Sequence, residues 1–195
     1  MLAHHIIFGT YGFWLPNDPR GSWSDFVGSW ELYRYGSATK TTETQSLAYI
    51  EHDSASRKAA KQSLKYPPVL FNGIQARAVA RGFARYVERT GLRIWACAIL
   101  PDHVHLVTEG TKIPIKHLVI QLKGDATEQL MRERIHPMTP WQTPGSRVPK
   151  CWARGEWKVY LDEEDEVYRA IEYVKNNPVK EGKKQQAWSF AQPLQ

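Results

Sequence analysis

Cysteine, long apolar runs and excess acidic charge are all absent or scarce in this sequence of 195 residues. The two cysteines, Cys97 and Cys151, are too few for a disulfide framework and form no CxxC pair, so a reducing compartment is expected. The longest apolar run, residues 94–100, falls far short of the ~20 residues that a membrane span needs. The first residues, MLAHH, lack the basic start of a secretory signal. We therefore expect a cytoplasmic protein with no membrane partner.

Basic and aromatic side chains are what the sequence has instead. It contains 26 Lys and Arg against 20 Asp and Glu, a formal net charge of +6, with a pI near 9.3. A basic surface attracts polyanions and releases their counterions on binding, so nucleic acid is a natural partner, although many basic domains bind none. The eight Trp and nine Tyr could form core or could be platforms for stacked bases. Composition alone does not decide between these roles.

The order of predicted secondary structure indicates the fold class. Strands are expected at residues 2–11, 92–100, 103–108 and 157–161, and helices at about 54–64, 73–90, 115–134 and 162–177. We find no internal repeat or linker, so residues 1–195 are expected to form one domain with an insertion at about 12–72. Without the insertion, the order β-α-β-β-α-β is ferredoxin-like (RRM-like): an α+β fold with an antiparallel sheet and helices on one face. The last helix is additional and is free to cover the other face.

Two features within these elements need a separate explanation. The helix at 73–90 has apolar residues at helical spacing and, on another face, four arginines spaced by four: Arg77, Arg81, Arg85 and Arg89. This basic row is either a solvated surface or a set of phosphate contacts.

The last helix is expected to end at Asn177, because Pro178 follows it.

A histidine pair, His103 and His105, is expected on one face of the third strand. Side chains alternate along a strand, so the two imidazoles share a face with about 6.6 Å of rise between them. This spacing allows both to bind one divalent metal. The alternative is that they are two half-buried strand histidines with ordinary hydrogen bonds.

A tyrosine and an asparagine share one side of the last helix. Tyr173 and Asn177 are four residues apart, which places them about 40° apart around the axis. If this helix crosses the sheet, it can bring a phenol and a carboxamide beside the histidine pair. Alternatively, Tyr173 is a packing residue and Asn177 is the C-terminal cap before proline.

Four segments resemble motifs of a known family, and they occur in the order that the family has. The segment ILPDHVHLV at residues 99–107 is similar to the HUH signature of single-tyrosine transposases. The segment YVKNNPVKEG at 173–182 resembles the tyrosine-bearing helix end of the REP-associated tyrosine transposases, a branch of that group. LVIQLKG at 118–124 and ARGEW at 153–157 resemble the intervening parts. The resemblance covers roughly residues 92–182, about half of the chain.

The resemblance implies a catalytic site. It makes His103 and His105 metal ligands and catalytic residues, Tyr173 the nucleophile, and Asn177 a polar third ligand where related enzymes often have Gln. The implied cofactor is a divalent metal, Mg²⁺ or Mn²⁺. The implied reaction is cleavage and rejoining of single-stranded DNA through a 5′-phosphotyrosine intermediate, near the foot of a palindrome folded as a hairpin. The REP-associated branch suggests a monomer and the insertion-sequence branch a homodimer.

Basic and aromatic residues near these motifs are candidates for contacts to single-stranded or hairpin DNA. For Arg20 and Trp23, in the insertion, a small satellite core is an equally open interpretation. The DNA-contacting candidates are Lys116, Lys123, Lys175, Lys180, Arg20 and Trp23.

Two other functions remain open at this point. A ferredoxin-like module could bind nucleic acid on its sheet without cutting it, but the strands that hold the histidines lack an RNP-like run of basic, glycine and aromatic residues. A metallohydrolase that uses water would need more carboxylates near the histidines than Asp102 and Glu109.

Overall fold

The computed structural model describes residues 2–13, 15, 32, 34–35 and 54–194. Most of the insertion predicted at 12–72, with Arg20 and Trp23, lies outside these residues. Within the described residues, no helix is both long enough and apolar enough to span a bilayer.

The described strands form a four-stranded antiparallel sheet in the order β2-β3-β1-β4. The strands are β1 (Ala3–Gly9), β2 (Ile94–Ile99), β3 (His103–Glu109) and β4 (Trp157–Leu161). The helices are α1 (Ser54–Gln62), α2 (Gly73–Thr90), α3 (Ile115–Arg132) and α4 (Glu164–Lys180). The order β1-α2-β2-β3-α3-β4 confirms the ferredoxin-like α+β arrangement that the sequence predicts, with α4 as the additional helix.

Helices α2 and α3 pack together on one face of the sheet. Their apolar residues bury the side chains of β1 and β3 that point to this face of the sheet, including Phe8, Val104 and Leu106. The two helices approach closely at Gly82, where an added Cβ would lie only 2.6 Å from the Cα of Ala126. Only glycine fits at such a contact.

The arginine row on α2 is largely an interhelical surface. Three of its four members pair with acidic side chains on α3 or at its C-terminal cap: Arg81 with Glu133 of the cap, Arg85 with Glu128, and Arg89 with Asp125. These guanidinium groups are therefore engaged within the protein. The three pairs lie at a partly exposed surface between the helices, and Arg77 stays a candidate for either role.

Helix α4 covers the opposite face of the sheet. Its apolar stripe packs against Ala96, Ala98 and Val107, and this second core is separate from the first. The helix starts with a capping box in which Glu163 and Glu166 satisfy each other's backbone N–H groups.

The predicted end of this helix at Asn177 is wrong, because the helix continues through Pro178 to Lys180. The proline is buried, and the carbonyls of Asn177 and Pro178 still accept hydrogen bonds from the backbone N–H groups of Glu181 and Lys183. These bonds maintain the last turn although proline lacks an N–H.

The segment after α4 returns to the edge of the sheet. The carboxamide of Gln186 accepts a hydrogen bond from the Ile99 N–H and donates one to the Ile99 carbonyl, each at 2.8 Å. The N–H of Gln192 donates to the carbonyl of Ile94. Trp188 and Phe190 pack against the first core. This segment thus covers the otherwise open edge of β2 and ties the end of α4 to it.

Candidate active site

The histidine pair lies on the face of the sheet that α4 covers. His103 and His105 alternate with Val104, which points into the opposite core, as the strand pattern predicts. Both imidazoles are buried, and their ring centroids are 4.8 Å apart in an edge-to-face arrangement.

His103 is oriented through one of its two ring nitrogens. Its Nδ1 lies 2.7 Å from Oδ1 of Asp102, and its ring stacks on Phe13 with 4.7 Å between centroids. An ionised carboxylate only accepts, so Nδ1 donates to it, and in the neutral form of His103 the lone pair is on Nε2. A carboxylate behind a histidine is the usual outer support of a metal ligand.

His105 is in contact with α4. Its Nε2 lies 3.1 Å from Nδ2 of Asn177, and both side chains are buried. Burial, with smaller contributions from His103 and His5, holds the pKa of His105 well below its ordinary value. The imidazole is therefore neutral at pH 7, and its lone pair can accept a hydrogen bond or bind a cation.

Tyr173 lies one helical turn before Asn177, on the same side of α4. Its ring centroid is 5.7 Å from that of His105, and the Lys180 ammonium lies 4.8 Å from the Tyr173 ring centroid. Burial raises the pKa of the phenol, Asn177 lowers it in part, and Glu181 raises it further. The phenol is protonated at neutral pH, yet the residue remains 44% exposed and open to a ligand. The predicted spacing thus brings Tyr173 and Asn177 together beside His105.

A third histidine, His5 on β1, was not found from the sequence. Its Nε2 lies 3.1 Å from Nδ1 of His105, its ring centroid is 5.8 Å from that of Tyr173, and burial lowers its pKa to about 4. No local spacing links residue 5 to residue 105. Only the pairing of β1 with β3, in which Ile7 is opposite His105, brings them together.

The predicted lysines are distributed over different surfaces. Lys175 and Lys180 lie on α4 with Tyr173, whereas Lys116 is exposed on α3, in the layer on the other side of the sheet. Lys123 donates hydrogen bonds to the carbonyls of Ala153 and Gly155, at 2.9 and 2.8 Å. Burial lowers the pKa of its ammonium to about 8.

Lys123 therefore fixes the turn before β4, and its ammonium is directed to that turn and not to a DNA phosphate.

The residues at the site can be tested for their fit to a divalent cation. Among the described residues, no group of three or more His, Cys, Asp or Glu could hold a metal. The expected donors are different in kind: two imidazoles and a carboxamide. A half turn of the Asn177 amide exchanges Nδ2 for Oδ1, the atom that a cation prefers. The 3.1 Å between His105 and this amide then matches the ~3.0 Å that separates neighbouring ligands of an octahedral Mg²⁺. The donor types of all three residues and the spacing of His105 and Asn177 therefore fit a divalent cation.

Comparison with known proteins finds similarity to solved structures only. No protein-family model matches this sequence, and no curated protein is detectably similar to it. Among solved structures, the chain is similar to a REP-associated tyrosine transposase bound to a REP hairpin. That match has a TM-score of 0.49 and 11% identity, over 96% of this chain and 74% of the other. It is also similar to a proposed transposase from Deinococcus radiodurans, with a TM-score of 0.40, 15% identity, and coverage of 89% and 88%.

Proposed function

We propose that this protein is an HUH single-tyrosine transposase that cuts and rejoins single-stranded DNA with a divalent metal. The observation that carries the proposal is the position of α4 over β3. The phenol of Tyr173 and the carboxamide of Asn177, one turn apart, both lie against the buried imidazole of His105. The sequence motifs at 99–107 and 173–182 supply the same two halves of the site.

The cation, Mg²⁺ or Mn²⁺, would be held by Nε2 of His103, Nε2 of His105 and Oδ1 of Asn177. When bound, it supplies positive charge that polarises the scissile phosphate and orients it. Asp102 keeps the proton of His103 on Nδ1, which leaves Nε2 able to bind.

Tyr173 is the nucleophile in this proposal. Its oxygen attacks the phosphorus, the bond to the 3′ oxygen breaks, and a 5′-phosphotyrosine and a free 3′-hydroxyl result. The phenol loses one proton and the leaving oxygen gains one, so no net proton is consumed. The ester retains the energy of the phosphodiester, so a 3′-hydroxyl of another strand can reverse the step without ATP.

The substrate is proposed to be single-stranded DNA that folds as a hairpin, in keeping with the resemblance of the sequence to the REP-associated branch. Lys180 lies over the ring of Tyr173 and Lys175 is on the same helix, and backbone phosphates would contact both lysines. Lys116 and the insertion residues Arg20 and Trp23 are further candidates for DNA contacts. One chain supplies every proposed catalytic side chain, so a monomer suffices for cleavage.

A labelled hairpin-bearing single strand incubated with the protein and Mn²⁺ tests the proposal on a denaturing gel. A covalent protein–DNA adduct is expected, and it should disappear with EDTA and in Tyr173→Phe. Tyr168→Phe is the matched control, because Tyr168 lies on the same helix and is 51% exposed against 44% for Tyr173. Binding without cleavage would instead identify a nucleic-acid-binding module. Cleavage without an adduct would identify a hydrolase that uses water.

A further inference from the structure

His5 contacts His105 on the edge of the ring that faces away from Asn177. The two nitrogens, Nε2 of His5 and Nδ1 of His105, are 3.1 Å apart, and the ring planes differ by 24°. The ring centroids are 5.4 Å apart. This distance equals the separation of the two nitrogens plus the radius of each ring, so the two nitrogens lie on the line between the centroids. The imidazoles therefore lie end to end, in the geometry of a direct N–H···N hydrogen bond.

A neutral imidazole has one N–H, so this contact is coupled to the state of the opposite nitrogen. If the proton of His105 is on Nδ1, it is donated to His5, and Nε2 keeps its lone pair. That lone pair accepts the N–H of Asn177 in the absence of a cation. If the proton is on Nε2 instead, the same nitrogen cannot bind a cation. The acceptor behind Nδ1 therefore decides whether His105 can serve as a ligand.

We propose that His5 is a positioning residue that accepts the Nδ1 proton of His105 and so directs the Nε2 lone pair towards the cation site. This inference rests on the proposed function for the cation itself. His5 acts on His105 as Asp102 acts on His103, which gives each histidine of the pair its own support. The ring centroids of Tyr173 and Trp157 lie 5.8 and 6.4 Å from that of His5, so both rings pack against it.

His5 is not itself a candidate ligand at this site. Its contact with His105 is made through Nδ1, whereas the contact with Asn177 is made through Nε2 on the other side of the same ring. A cation held by His105 and Asn177 thus lies across the ring from His5. His5 acts through His105.

The experiment compares wild type with His5→Phe and His5→Gln. Long-range ¹H–¹⁵N correlation spectra of histidine-labelled protein without metal report which nitrogen of His105 carries the proton. Titration with Mn²⁺ gives the affinity. We expect the Nδ1–H form in wild type, loss of that preference in His5→Phe, and about 10- to 100-fold weaker Mn²⁺ binding. His5→Gln should restore most of the affinity, because its amide oxygen can accept the same proton.

His4→Phe is the matched control, since His4 is a buried histidine adjacent on β1 that contacts Glu109 and Tyr160 instead. It should leave Mn²⁺ affinity unchanged even if it lowers the unfolding midpoint. An Nε2–H form of His105 in wild type, or equal Mn²⁺ affinity in wild type and His5→Phe, would overturn the role of His5. Failure of wild type to bind Mn²⁺ at all would overturn the proposed function, so the two failures are distinguishable.

Discussion

Nε2 of His105 and Nδ2 of Asn177 lie 3.1 Å apart, although 72 positions separate the residues in the chain. This contact joins the centre of the sheet to the last turns of α4. Because Tyr173 lies one turn earlier on the same helix, the docking that makes this contact also sets the position of the phenol. The second core beneath α4, in which Val174 packs against β2 and β3, supports that docking.

Replacement of Asn177 by alanine should therefore affect both stability and chemistry. It leaves the buried Nε2 of His105 without its donor, which costs about 1–3 kcal/mol in the free energy of unfolding. It also removes a proposed ligand, so adduct formation should fall. Asn176→Ala is the control, because the neighbouring asparagine is exposed and should change stability by no more than about 0.5 kcal/mol. Urea unfolding of both variants measures the difference, and equal stabilities would contradict the assigned contact.

The two hydrogen bonds between the Gln186 carboxamide and the Ile99 backbone allow a separate prediction. Gln186→Ala removes both hydrogen bonds to the Ile99 backbone, so the Ile99 amide should exchange with solvent markedly faster than in wild type. Hydrogen exchange followed by NMR measures this directly. The adjacent Gln185 is exposed, so Gln185→Ala should leave the protection of Ile99 unchanged. Unaltered exchange in Gln186→Ala would show that the edge of β2 is protected by other contacts.

Two glycines on the packed helices should respond to alanine in opposite directions. Gly82→Ala places a methyl group 2.6 Å from the Cα of Ala126, so α2 and α3 must separate, at a cost of about 1–3 kcal/mol. Gly124→Ala on α3 meets no atom within 4 Å and should stabilise the protein by up to about 1 kcal/mol, through helix propensity. Thermal unfolding of the pair tests the helix contact, and a shift of the same sign in both variants would argue against it.

The free energy of unfolding should fall at acid pH because of the buried His136. Burial lowers its pKa below the ordinary 6.5, and its Nδ1 accepts the N–H of Met138. Below about pH 6.5 the unfolded chain takes up a proton that the folded chain does not, so stability falls as the pH falls. The slope from one such group is at most about 1.4 kcal/mol per pH unit.

His136→Asn keeps an acceptor for Met138 and removes the titration, so its unfolding midpoint should decline less between pH 7 and pH 5.5. A steeper decline in the variant than in wild type would refute this origin.

Local patterns were sufficient to predict the sheet and most of its helices. The alternation around Val104 placed His103 and His105 on one face, and the spacing of four placed Asn177 beside Tyr173. Both are properties of a single element. The ferredoxin-like topology then follows from the order of the elements.

Contacts that depend on strand register or on packing between elements could not be predicted in this way. His5 meets His105 only through the pairing of β1 with β3. Lys123 is near the motifs in sequence, yet its ammonium is directed to the turn before β4. Pro178 indicated a helix end, but bonds to residues beyond it maintain the turn. In each case, contacts between distant parts of the chain determine a position that the local sequence pattern does not.

Mass spectrometry of the adduct is the most direct test of the phenol as nucleophile. Trypsin releases residues 170–175, which contain Tyr173 and no other tyrosine, whereas Tyr160 and Tyr168 lie together in the preceding peptide. After nuclease trimming, the account predicts a nucleotide joined through its 5′-phosphate to the peptide with Tyr173. A nucleotide on any other peptide, or a cleaved strand with no modified tyrosine, would contradict it.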